Sequence, residues 1–416
     1  MEAEIITIGD ELLIGQVTDT NSGWMGQQLN RNGVNVRYRS AVSDRAEDIS
    51  SVLDIALKRS TLVLITGGLG PTKDDITKKT LCDYFGMGWR TDQLVLADVR
   101  GFFKRFGREV TEVNLQQANV PDGCVALRNK LGTAPGMWFE RDGRIIVSLP
   151  GVPHEMKGLM TDEVLPRIMQ KFALPGIVHK TILTQGIGES WLAEKIAAWE
   201  DSLAAEHIRL AYLPSPGIVR LRLSIYEGKK EDAEKCIARK MEEVLPLIHD
   251  YVFGFDDDTL ENVVGSLLRE RKKTISTAES CTGGNIAHMI TSVPGSSDYY
   301  IGSVIAYADR IKENQLDVLP ETLAKDGAVS EYVVKEMAVN ARKKLVTDYA
   351  IAVSGIAGPG GATEAKPLGT TWIAVSGPEG TFAKKFIFGD SRERNILRAS
   401  VAGLAFLRKL ILGELK

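Results

Sequence analysis

At 416 residues, with 44% hydrophobic and 25% charged residues, the chain has material for two or three globular domains. A formal net charge of −3 gives no support for nucleic-acid binding through overall basicity. The four cysteines, Cys82, Cys124, Cys236 and Cys281, are scattered without a Cys-x-x-Cys pair, which argues against a zinc site or a disulfide framework. The acidic start Met1-Glu2-Ala3-Glu4 runs straight into a strand and does not read as a signal peptide. No apolar run approaches the ~18 residues of a membrane span, so a cytoplasmic protein without a membrane partner is expected.

In chain order, Glu4–Gly9 reads as a buried strand. Polar residues Asp19-Thr20-Asn21-Ser22 then cap a helix over 23–32. A second strand spans 34–39, a helix 46–58, and an almost wholly apolar strand Leu62–Thr66 follows. Strands alternating with helices predict a doubly wound parallel sheet. Gly67-Gly68-Leu69-Gly70 sits at the carboxyl end of the third strand, where such sheets bind ligands, and its glycines let backbone N–H groups approach a phosphate. Asp74 and Asp75 follow. Beside a phosphate they need a divalent cation or a role as a base; otherwise they are helix-start acids favoured by the dipole. Residues 94–108 read as an amphipathic helix whose Phe102, Phe103 and Phe106 serve the core or a subunit contact.

The stretch 171–255 alternates as strand, helix, two strands around Pro214-Ser215-Pro216-Gly217, helix and strand. This βαββαβ order predicts a small α+β linking or dimerising module. Gly186-Ile187-Gly188-Glu189-Ser190 suits a phosphate or RNA contact but reads more simply as a strand-to-helix turn. Three acids, Asp256-Asp257-Asp258, precede the next helix.

In the last domain, 256–416, the strand at 274–276 leads into Thr277-Ala278-Glu279-Ser280-Cys281-Thr282-Gly283-Gly284 and then a helix. A small-residue turn of this kind exposes a serine hydroxyl beside backbone N–H groups, including those near Thr282, Gly283 and Gly284. Ser280 and its neighbour Cys281 are both candidate nucleophiles. Downstream, a strand ends at Tyr307, and Lys312 falls on the first turn of the next helix. A lysine amine must drop roughly two to three units from its usual pKa to act as a base near neutrality, and burial can supply this. Ser280, Tyr307 and Lys312 together form a candidate triad in which the roles of the last two are interchangeable. Ser297 is either a site residue or a turn cap. Ser354-Gly355-Ile356-Ala357-Gly358-Pro359-Gly360-Gly361 offers N–H groups to a phosphate, and Arg394 is placed to pair with one.

The motifs AESCTGG (278–284), GSS (295–297), GAVS (327–330), SGIAGP (354–359) and KPLGT (366–370), with Tyr307 and Lys312, resemble the nicotinamide-nucleotide amidase (NMN deamidase) family. The stretches GDELLIGQVTDTN (9–21), TGGLGPTKDD (66–75), NKLGTAPG (129–136) and LPGVPHEM (149–156) resemble the MoaB/MogA-like molybdopterin-binding fold. Both in this order look like the competence/damage-inducible protein A (CinA) family over essentially the whole chain. The resemblance implies a MoaB/MogA-like domain over 1–170, the α+β module over 171–255, and an α/β amidase domain over 256–416. It implies hydrolysis of nicotinamide mononucleotide (NMN) by Ser280 without a cofactor. It further implies hydrolysis of ADP-ribose in the first domain with a divalent metal, the tentative ligands being Asp74 and Asp75. Asp44 and Asp75 match the acidic catalytic pair of that fold. Glu11, Asn21, Gly67, Gly68, Gly70, Gly132 and Gly136 would line the cleft, while His154 reads as a local hydrogen-bonding residue. A homodimer acting on small nucleotides, without direct nucleic-acid contact, is expected. A non-catalytic competence or recombination adaptor and a molybdopterin-handling protein are the competing readings. One departure from the amidase pattern is Ala362 between Gly361 and Thr363, which restricts the backbone there.

Overall fold

The structure, a computed structural model, describes residues 1–72, 75–172 and 176–415. It divides into two compact units, 1–178 with 225–234, and 179–224 with 235–416. No described helix is long and apolar enough to cross a membrane.

The first unit holds a six-stranded sheet. Its strands are β1 (Glu2–Ile8), β2 (Asn35–Val42), β3 (Leu62–Thr66), β6 (Val125–Leu127), β7 (Gly136–Arg141) and β8 (Arg144–Leu149); a separate ribbon pairs β4 (Trp89–Thr91) with β5 (Asn119–Pro121). The order is β2-β1-β3-β8-β7-β6. The first four are parallel neighbours, and β6–β7–β8 add antiparallel pairs that the alternating-strand reading leaves out. Side chains alternate across the pleat. Ile5, Leu62, Leu64 and Val147 pack with Met25 and Leu29 on one face. Ile6, Ile8, Val63, Ile65 and Ile146 pack with Ile49, Leu53 and Leu81 on the other. Helices therefore cover both faces, as a doubly wound sheet requires. The helix Gln93–Arg105 is capped by Asp92 and buries Val95 and Val99 against Ala118. Phe106 beyond it is exposed.

The module after it contains β9 (Val178–Gln185), the helix Glu189–Leu203, the hairpin β10 (Arg209–Ser215) and β11 (Ile218–Ile225), the helix Lys230–Ile248 and β12 (Val252–Phe255). The sheet order is β10-β11-β9-β12, the βαββαβ arrangement expected.

The last sheet runs β14-β13-β15-β16-β17, with β13 (Ile275–Glu279), β14 (Tyr300–Ile305), β15 (Tyr349–Gly355), β16 (Thr370–Gly377) and β17 (Gly380–Ile387). β14 and β15 flank β13 in parallel; β16 and β17 continue antiparallel. One face is large and branched: Ile275, Ile351, Val353, Ile373 and Val375 pack on the helices Leu260–Glu270, Asn285–Thr291 and Arg392–Ile411. The other is small: Ala278, Ala350, Ala352 and Ala374 receive Val333, Val334, Met337, Ala338 and Ala341 of the helix Glu331–Lys344. Alanine on both sides leaves no room for a longer side chain. Ala352→Leu is expected to destabilise this domain by about 1–3 kcal/mol through overpacking. Urea unfolding followed by circular dichroism checks this, and an unchanged midpoint would count against such close packing.

Candidate active site

Three parallel strands end side by side. Ser280 donates its backbone N–H to Val353 O at 2.9 Å, and Ala306 donates to Glu279 O at 2.8 Å. The turn after β13, the segment 306–308 after β14 and the loop after β15 therefore share one edge. That is the usual ligand-binding edge of a parallel sheet.

Ser280 is buried, 8% exposed, and among the described residues its Oγ makes no hydrogen bond to Tyr307 or Lys312. Lys312 is 1% exposed; its Nζ donates to Tyr307 O at 3.2 Å and Asp309 Oδ1 at 3.1 Å. Tyr307 is 59% exposed, and its phenol oxygen accepts from Arg392 Nη2 at 3.0 Å. Arg392 Nη1 donates to Gly358 O at 2.6 Å, and Asn395, one turn on, donates to Ala357 O at 3.0 Å. Two consecutive carbonyls of the glycine loop are thus held by one helix face. The N–H groups of Ala357, Gly358, Gly360 and Gly361 engage no acceptor among the described residues, which leaves them for an anion. Arg394, in the same turn, is exposed and makes no ion pair among the described residues. Arg392, which the sequence does not single out, makes the contacts to this loop and to Tyr307. The two-residue spacing within Arg392-Glu393-Arg394 does not separate them without a helix register.

Other expected residues have narrower roles. Ser354 is buried and donates to Ala328 O at 2.7 Å, which ties the GAVS segment to β15. A Cβ on Gly355 would stand 2.6 Å from Thr371 Oγ1, so this glycine serves packing; Gly360 faces open space. Ser297 lies in the turn before β14, exposed, at the amino end of the sheet. A strand of β14's length separates it from Ser280, so this chain does not bring it to the cleft.

Glu279 is the residue that motif reading passes over. It is fully buried, and its carboxylate accepts from Gly284 N (3.1 Å), Ile286 N (3.0 Å) and Ala287 N (2.8 Å). Gly283 N–H already serves Ser280 O at 3.1 Å. The oxyanion donors expected from Gly283 and Gly284 are therefore taken. In sequence Glu279 stands at the end of β13, away from the start of the helix Asn285–Thr291, whose N-cap is Gly284, so no capping pattern marks it. Burial pushes the Cys281 thiol up to about 12; the Glu279 charge adds to this, while Lys312 and Arg392 oppose it. This holds Cys281 toward the neutral thiol, which is the less nucleophilic form.

In the first domain, the strand ends also converge. Asn21 Nδ2 donates to Gly151 O at 2.7 Å and Thr66 Oγ1 at 3.3 Å, and Gly67 N–H donates to Leu149 O at 3.1 Å. Asp44 Oδ2 accepts from Asp10 N at 3.0 Å. Asp75 Oδ2 accepts from Thr72 N and Thr72 Oγ1, and occupies the space a Gly70 Cβ would need. Thr77 Oγ1 fills the space a Gly68 Cβ would need, and the Glu155 carboxylate, which Asn129 also holds at 2.6 Å, fills that beside Gly132. Gly136 begins β7, while Glu11 and His154 are exposed. Asp74 lies outside the described residues. Among the described residues no three His, Cys, Asp or Glu side chains converge to hold a metal ion. Asp44 and Asp75 are engaged by backbone and hydroxyl donors.

The fold and these two strand-end sites define a chain with a MoaB/MogA-like front domain and an α/β rear domain built around a serine turn. Family models match accordingly: a probable molybdopterin binding domain over 4–170, a damage-inducible protein CinA KH domain over 179–254, and a CinA C-terminal domain over 257–411. A CinA-like protein of Cytophaga hutchinsonii is 49% identical, covering 98% of this chain and 97% of its own. One from Flavobacterium psychrophilum is 47% identical, covering 99% of both. The crystal structure of a CinA protein of unknown function from Thermoplasma acidophilum shares 34% identity. It covers 40% of this chain and 97% of its own, with a TM-score of 0.37. The chain belongs to the CinA family.

Burial disfavours the ionised form of the Cys281 thiol and closes it to reagent at pH 8. Iodoacetamide at that pH is expected to leave Cys281 unmodified in the folded protein and to label it after denaturation, as read by peptide mass spectrometry. Rapid labelling of the native protein would contradict the buried thiol.

Proposed function

We propose that the C-terminal domain hydrolyses the carboxamide of nicotinamide mononucleotide to nicotinic acid mononucleotide and ammonia. The observation that supports this reading is that the serine turn, the segment leading to Lys312 and the glycine loop follow three adjacent strand ends, with Arg392 bridging Tyr307 and a loop with unengaged N–H groups. A nucleotide amide needs these parts: a nucleophile, a proton acceptor and a phosphate seat. Lys312, with Tyr307 as relay, takes the Ser280 proton as Oγ attacks the carboxamide carbon. The C–N bond breaks as that proton passes to the leaving nitrogen, and ammonia departs. Water then cleaves the acyl ester and restores the serine hydroxyl. Arg392, the N–H groups of the glycine loop and Arg394 supply the phosphate seat. No step calls on a metal.

For the N-terminal domain we propose hydrolysis of ADP-ribose to AMP and ribose 5-phosphate. The support is the glycine turn at the end of β3, with Asp44 and Asp75 beside it, and the resemblance of these motifs to CinA proteins. The molybdopterin-binding name of the matching family model favours a second reading, a pterin phosphate held at the same turn.

The amidase reading is tested by ammonia release from nicotinamide mononucleotide by the full chain. Ser280→Ala is expected to lower the rate by at least about 10³-fold with folding intact. Arg392→Ala is expected mainly to raise KM, by about tenfold or more, as loss of a charge-assisted contact to phosphate would. A folded wild type without turnover would count against the reading. In the other domain, Asp75→Asn is expected to reduce AMP formation from ADP-ribose at least about tenfold. Unchanged AMP formation would remove Asp75 from the chemistry.

A further inference from the structure

Glu279 has no part in the proton transfers above, yet it is the most buried charged group at the serine turn. A carboxylate at zero exposure persists only when its lone pairs are filled. Here three backbone N–H groups fill them, and Thr277 Oγ1 stands 3.3 Å from Oε1. Thr277 in turn reaches Ser303 Oγ on β14 at 2.7 Å. The carboxylate therefore links the residue before the nucleophile, the first turn of the following helix and the neighbouring strand.

A count of the turn's N–H groups shows what this achieves. Ser280 N–H serves Val353 O, Gly283 serves Ser280 O, Asn285 serves Thr282 O, and Gly284, Ile286 and Ala287 serve Glu279. Those of Cys281 and Thr282 engage no acceptor of another residue among the described residues; the Cys281 N–H lies against its own sulfur. Thr282 is 3% exposed, and its Oγ1 also has no partner among the described residues. These donors lie directly after the nucleophile, where an oxyanion develops when a serine attacks.

We propose that Glu279 is a positioning residue. By occupying the start of the helix from inside, it fixes the serine turn so that the Cys281 and Thr282 N–H groups, with the Thr282 hydroxyl, form the oxyanion hole. This rests on the amidase reading for its chemistry but not for its structural part. Glu279 transfers no proton; it determines which donors remain for the substrate.

The test is Glu279→Gln in the full chain. A glutamine keeps the shape but presents an NH2 group to backbone donors. The expected result is a kcat about 10²-fold lower for nicotinamide mononucleotide, with KM within about threefold and the pH–rate profile unchanged in shape, since an oxyanion donor is worth about that much. Amide exchange at Gly284, Ile286 and Ala287 is expected to quicken about tenfold or more. Thr277→Val, which removes only the hydroxyl beneath Oε1, is expected to give a milder loss of the same kind and serves if the glutamine variant does not fold. A kcat within about threefold of wild type would overturn the oxyanion claim. A lost limb in the pH profile would mean direct proton transfer, and a change confined to KM would mean substrate contact; either overturns positioning. If the wild type does not turn over nicotinamide mononucleotide, the amidase reading fails. The exchange measurement still decides whether Glu279 holds the turn, and unaltered protection there would overturn that.

Discussion

Two backbone hydrogen bonds at the end of β13 hold the rear site together. Ser280 N–H to Val353 O and Ala306 N–H to Glu279 O extend the parallel ladder one residue beyond the strands on each side. A parallel register leaves no freedom here, because a slip of one residue would send every side chain to the opposite face. The serine turn, the tyrosine and the glycine loop are consequently neighbours, although they are separated widely along the chain. The branched face behind this edge and the alanine face opposite it keep the strand ends from shifting.

Much of the architecture follows from patterns visible in the chain. Apolar strands such as Leu62–Thr66 and Tyr349–Gly355, each followed by a glycine-bearing loop, mark a parallel sheet and the edge at which it binds. The β6–β7–β8 portion was less legible. Its strands are short or joined by a tight Asp142-Gly143 turn, and strand–helix alternation does not predict an antiparallel pair. In the rear site, the residue types were legible and their partners were not. Arg392 and Arg394 look alike in sequence; only the helix start at Arg392 turns the first toward Gly358 and Tyr307. Ser297 sits in a motif with the right residue types, but the intervening helix Asn285–Thr291 carries the chain back to the other end of the sheet. Glu279 was hidden because a residue at the end of a buried strand reads as core unless its reach to the next helix is considered.

The two sites use acidic groups in a similar way. In the rear domain Glu279 is consumed by the backbone it organises. In the front domain, Asp44 is engaged by Asp10 N–H and Asp75 by Thr72. A Cβ on Gly68, Gly70 or Gly132 would meet a neighbouring side chain, so packing bears on these positions as well as ligand approach. A glycine-rich loop is thus evidence of crowding first, and of phosphate binding only where N–H groups remain unengaged, as they do at 357–361.

The central claim is that Ser280 is the nucleophile of a site assembled at these strand ends. The most direct measurement is acid quenching of the full chain during turnover of nicotinamide mononucleotide, followed by peptide mass spectrometry. The account predicts a nicotinoyl nucleotide ester on Ser280, formed and lost at rates compatible with turnover. Turnover with Ser280 unmodified, or with the adduct on Cys281, would contradict it.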